Sequence, residues 1–184
     1  MLVILKSGSS EFYSMDRDTN GITEALGTRE IDARQRVSAL VEFHTGEGRD
    51  AAGRRHEDVL KLDDDHLEWT YDWTQWTFPD RDGAGPRALV PTLNDDEVSL
   101  LRNSSLASER MARALFRMTS FLEGGTRWLR EKDCSHARIA RAIRSSRLIL
   151  GDQAAIDFRR GVFEMMIRRS HRVGLEALTS WRQA

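Results

Sequence analysis

The stretch LEWTYDWTQWTFP, residues 67–79, limits what this chain can become more than any other. Trp69, Trp73 and Trp76 fall at i, i+4 and i+7, a spacing that puts three indoles on one face of a helix. Each indole can bury ~150–250 Å², so three together rival the net stability of an ordinary domain. Such a stripe needs a partner. The expectation is a core helix ending at Phe78, because Pro79 disfavours α geometry in the residue before it. Trp69, Trp73, Phe78 and Pro79 are thus read as structural core. An aromatic groove for a ligand or peptide is the alternative.

The rest of the chain offers helices to pack against it. Val37, Leu40, Val41 and His44 keep helical spacing before Gly46 and Gly48 interrupt it. Val59, Leu60 and Leu62 suggest a short helix. Asp63 to Asp65 then read as the cap and acidic first turn of the Trp helix. Asn94 with Glu97 forms a capping-box pattern, and Ser104–Ser105 open a longer helix striped by Met111, Ala114, Leu115, Met118, Phe121 and Leu122. Ser135 is expected to cap SHARIARAIRSSRLIL, where Ile139, Ile143, Ser146 and Leu150 form the inner stripe. Arg138, Arg141, Arg144 and Arg147 then occupy the outer arc. Gly151 ends that helix, Asp152 opens another, and residues 175–181 form a final turn or two. The predicted fold is all-α, a single compact domain of six to eight helices over 31–184. Residues 1–30 form a poorly committed tail or short extended segment.

The totals remove several function classes. No apolar run approaches the ~20 residues of a membrane span, and the short Leu2–Leu5 run is not a signal peptide. The single cysteine, Cys134, excludes an internal disulfide and fits a reducing cytoplasm. Residues 46–53, GEGRDAAG, lack the order of a P-loop. The histidines show no metal-ligand spacing, so neither cofactor nor metal is expected. Cys134 and His136, two apart with no orienting third group, do not make a nucleophile–base pair.

Charge is divided. Residues 101–184 carry 17 Lys+Arg and 8 Asp+Glu, net +9, against 11 and 21, net −10, in residues 1–100. Either the halves face each other or one meets a charged partner. The arginine helix and its Gly151 turn superficially suggest helix-turn-helix, so a nucleic-acid contact through Arg138, Arg141, Arg144 and Arg147 is a second possibility.

Two blocks also carry a family likeness. YDWTQWTFP resembles the HDYIQWLFP signature of the opioid growth factor receptor conserved region. SHARIARAIRSS resembles that family's later helix, roughly HNHLRITRILKSL. The likeness spans about residues 40–160, with Asp72, Gln75, Trp76, Phe78 and Pro79 in register. Tyr71, Trp73, Thr74 and Thr77 depart from the pattern, the threonines replacing aliphatics.

The resemblance implies a mainly helical domain, not a seven-helix receptor. It nominates Asp72, Gln75, Trp76, His136, Arg138 and Arg141 as binding residues. Asp72 is expected to pair with an arginine between Arg138 and Arg147, tying the two blocks together. The enkephalin-type ligand of eukaryotic members is not carried over. The expected function is a non-enzymatic protein- or peptide-binding, regulatory module. A nucleic-acid-associated regulator and an enzyme of unrecognised type are the alternatives. Trp128 and Trp181 are possible anchors of a homodimer surface.

Overall fold

Arg138 and Arg141 are almost wholly buried, although they lie on what reads as the polar arc of their helix. The explanation runs through the whole architecture, seen here in a computed structural model that describes residues 39–46, 48–70, 72–81 and 92–184. The expected N-terminal tail and the loop over 82–91 lie outside the described residues.

Nine α-helices run in order among the described residues. They are α1 (39–45), α2 (His56–Leu60), α3 (Asp64–Trp69), α4 (Trp73–Thr77), α5 (Asp95–Asn103) and α6 (Ser105–Gly124). After a 3₁₀ turn at Arg127–Leu129 come α7 (Ser135–Leu150), α8 (Asp152–Arg168) and α9 (Leu175–Gln183). No strand occurs among them. They build one compact all-α domain within 33–184, and none is long and apolar enough to cross a membrane.

Local chemistry sets most boundaries. Asp63 caps α3 by accepting from the N–H of His66. Asn94 and Glu97 close a full capping box on α5, and Ser104 caps α6 through the N–H of Ala107. Ser135 does not cap α7: Cys134 takes the cap position, and Asp133 accepts the N–H of Ser135 at 2.9 Å. Gly151, at φ 95°, supplies the backbone turn that separates α7 from α8.

The Trp helix is the main departure from expectation, and it accounts for the ninth helix. It breaks after Trp69, where Thr70 turns extended at ψ 105°, and restarts with Asp72 at the cap position of α4. The shared face is therefore lost. Trp73 and Trp76 are buried, while Trp69 is 77% exposed and does not belong to the core.

The centre of the domain is α7 instead. It packs against α4, α5, α6, α8 and α9. Ala140, Ala142, Ser145 and Ser146 are buried along it beside Ile139, Ile143 and Ile149, and small side chains let neighbouring axes approach closely.

Helices of five or six residues do not persist alone, and each ends in carbonyls with no partner inside the helix. Here side chains from elsewhere supply the donors. Arg138 donates to Leu67 O and Glu68 O (3.1 and 3.0 Å) at the end of α3, where the Trp73 indole also donates to Leu67 O. Arg141 donates to Phe78 O (2.7 Å) and more weakly to Gln75 O at the end of α4, and His44 donates to Trp76 O (2.8 Å). At the end of α6, the Trp128 indole holds Leu122 O while Arg169 holds Glu123 O and Gly125 O. A cation at a helix C-terminus also meets the negative end of the dipole. The arginines are buried because they finish other helices.

Among the described residues, acids of the first half pair with bases of the second. Arg113 pairs with Glu57, Arg117 with Asp64, Arg127 with Glu68, and Arg144 with Asp80. Each joins a base from the second half to an acid from the first.

Candidate functional site

Of the residues nominated by the family likeness, Asp72, Arg138 and Arg141 make bonds within the domain, and His136 lines an open cavity. Asp72 is bonded by Arg54 (2.9 Å), which also binds Asp50 (2.6 Å); the expected pair with an α7 arginine is replaced by this one. The acid that α7 does engage is the buried Asp80, held by Arg144 at 2.7 Å. Asp72 is claimed locally because Arg54 leaves the turn before α2 directly beside the start of α4. Gln75 is half-buried, and Phe78 and Pro79 are buried. Trp76 packs its ring against Phe43 at 5.7 Å between centroids.

His136 donates through Nε2 to Trp128 O (2.8 Å) and meets the edge of the Trp181 ring at 5.5 Å. It also lines an open cavity of about 410 Å³ with residues 131–133 and the start of α9. Trp128 and Trp181 are buried, so they present no dimer surface. For a nucleic-acid contact, Arg138 and Arg141 are inaccessible, while Arg144 and Arg147 pair with Asp80 and Asp152.

The most perturbed titrating groups lie in a dry aromatic nest. His44 and His56 meet edge to face at 5.4 Å between centroids, and both touch the Phe43 ring at 5.3 Å. Burial pulls His44 down to about 4, against the bond to Trp76 O, with Arg110 adding repulsion. Burial likewise pulls His56 down to about 3, helped by His44, Arg110 and Arg113. Because a carbonyl only accepts, the proton of His44 sits on Nε2. Among the described residues, Nδ1 of His44 and both nitrogens of His56 have no hydrogen-bond partner. These rings are kept neutral by burial and pack edge-on against one another.

What reaches the surface with recognisable chemistry is Trp69. Its indole sits beside a cavity of about 280 Å³ between α3 and the end of α6. Asp64, Asp65, Glu68, Phe121 and Trp128 are among its lining residues. The Arg127 guanidinium lies over the Trp69 ring, 5.2 Å from its centroid, with Nε 3.3 Å from Glu68. Gly124 lies at the rim, where an added Cβ would come within 2.6 Å of Asp64 Oδ2 and make that carboxylate swing aside. Phe116, 76% exposed, lies on the face of α6 that also carries Ser120 and Gly124 at four-residue spacing.

An acid-rimmed indole of this kind receives cationic side chains, and Arg127 shows the geometry from within the chain. The sequence reading placed Trp69 in the core. The signal against that was the Thr-Tyr-Asp step after it, which combines a β-branched residue with a favoured cap residue.

Among the described residues, one cluster has the makings of a metal site: Glu68, Asp133 and Cys134 bring ligand atoms within 4.8 Å of one another. Two oxygens and an exposed thiol would suit a borderline cation. Glu68 is already held by Arg127, and Asp133 by the backbone of α7. No family model, curated protein or solved structure matches this chain.

Proposed function

We propose that the chain is a non-enzymatic protein- or peptide-binding, regulatory module of the opioid growth factor receptor-like type, acting in the cytoplasm. In this reading its docking point is the Trp69 cavity. The supporting observation is Trp69 itself, a large indole left in water beside three carboxylates. Leaving ~150–250 Å² of indole exposed forgoes roughly 4 kcal/mol of burial, and tryptophan with arginine is typical of interface anchors. The fitting occupant is a segment offering a basic side chain to the acids and an apolar one to Trp69 and Phe116. The family assignment rests on the register of Asp72, Gln75, Trp76, Phe78 and Pro79. Trp76, Phe78 and Pro79 are buried and Asp72 is held by Arg54, so in this reading the signature preserves the frame rather than reads the ligand.

The test is affinity capture from the native cell with wild type and Trp69→Ala in parallel, after thermal melts establish equal folding. Partners held by wild type and lost by the variant are expected. The same set of partners on both proteins would refute a Trp69 docking point.

A further inference from the structure

Two connections meet at another edge of the domain: residues 126–134, between α6 and α7, and residues 169–174, between α8 and α9. The N–H of Arg172 donates to Leu129 O at 2.7 Å and that of Gly174 to Glu131 O at 3.1 Å. Both segments advance two residues between these bonds, so they run parallel. Arg172 is thereby pinned against the residue preceding Arg130. Gly174 is essential to the approach, because a Cβ there would stand 2.9 Å from Glu131 O.

Between the two segments lies a cavity of about 450 Å³, lined by Thr126, Leu129, Arg130, Arg169, Ser170 and Arg172. The lining residues include three arginines, a threonine and a serine, and no acid. Arg169 is committed to the carbonyls ending α6. Arg130 and Arg172 are exposed. Neither guanidinium has an ion pair among the described residues, whereas Arg113, Arg117, Arg127, Arg144 and Arg147 all do. Two rigid forks and two hydroxyls around a concave space, without a counter-charge, match a tetrahedral dianion bearing several acceptor oxygens.

We propose that this cavity binds a phosphate monoester, carried on a small polar molecule. Its volume falls within the range of small-molecule pockets and exceeds what a bare ion needs. Among the described residues, only two unpaired arginines line it, fewer cations than a polyanion track needs. The site is separate from the Trp69 cavity and shares no lining residue with it.

The test uses the intact protein at low ionic strength near neutral pH, followed by calorimetry and amide chemical shifts. The probes are phosphoserine, inorganic phosphate, serine and a short DNA duplex. Phosphoserine is expected to bind saturably and more tightly than inorganic phosphate, and serine not at all. Arg130→Gln and Arg172→Gln each weaken phosphoserine binding about tenfold, the loss of one charge-assisted contact. Arg160→Gln, an exposed α8 arginine outside the cavity, leaves it unchanged. Equal weakening by Arg160→Gln, an unaltered affinity in both cavity variants, or no saturable binding overturns the site. DNA bound in preference to phosphoserine, with affinity falling steeply as salt rises, would replace it with a polyanion surface.

Discussion

Acid should unfold this protein early, and the His44–His56 nest sets the size of the effect. In the unfolded chain both imidazoles take a proton near the ordinary value of about 6.5. In the fold they decline it down to about 4 and about 3. Between these limits the unfolded state binds more protons, so stability is complete above the unfolded value and falls as pH drops through the window. At about pH 5 each histidine costs roughly 2 kcal/mol relative to about pH 7.5, and the pair roughly 4 kcal/mol. That is a large share of a domain's usual ~5–15 kcal/mol, and ordinary carboxylates are still mostly ionised there. Urea titrations at the two pH values measure the difference directly. His56→Phe, which keeps a ring against Phe43 but cannot titrate, should remove about half of the pH dependence. A wild-type difference below about 1 kcal/mol, or one that His56→Phe leaves untouched, would refute a buried neutral pair.

Other perturbations probe the joints. Arg141→Lys cannot span Phe78 O and Gln75 O as the guanidinium does, and should lower stability by about 2 kcal/mol in urea denaturation. Gly174→Ala forces a Cβ onto Glu131 O and should cost about 1–3 kcal/mol, read as a lower thermal midpoint. Of the five tryptophans, Trp69 alone is exposed, so acrylamide should quench one accessible fraction that Trp69→Phe abolishes. The same variant should melt with wild type, because its ring contributes little buried area.

The residues alone carried the helical class and most helix limits. Periodicity and capping act over a few neighbours, so Asp63, the Asn94–Glu97 box, Ser104 and Gly151 could be read from their surroundings in the chain. The charge split likewise foreshadowed the pairing of the two halves, since opposite excesses attract whatever the fold. Tertiary structure alone decided where the polar groups of α7 would go. A helical wheel ranks Arg138 and Arg141 as solvent-facing, yet the free carbonyls ending α3 and α4 are their partners, and those come from some 70 residues earlier. It also decided the fate of the tryptophans. The Thr70–Asp72 step permits a break, but Arg54 and Arg138 grip the two sides of it from distant parts of the chain, contacts that indole spacing does not record. That break sends Trp73 and Trp76 inward and leaves Trp69 at the surface, where the candidate docking site is found.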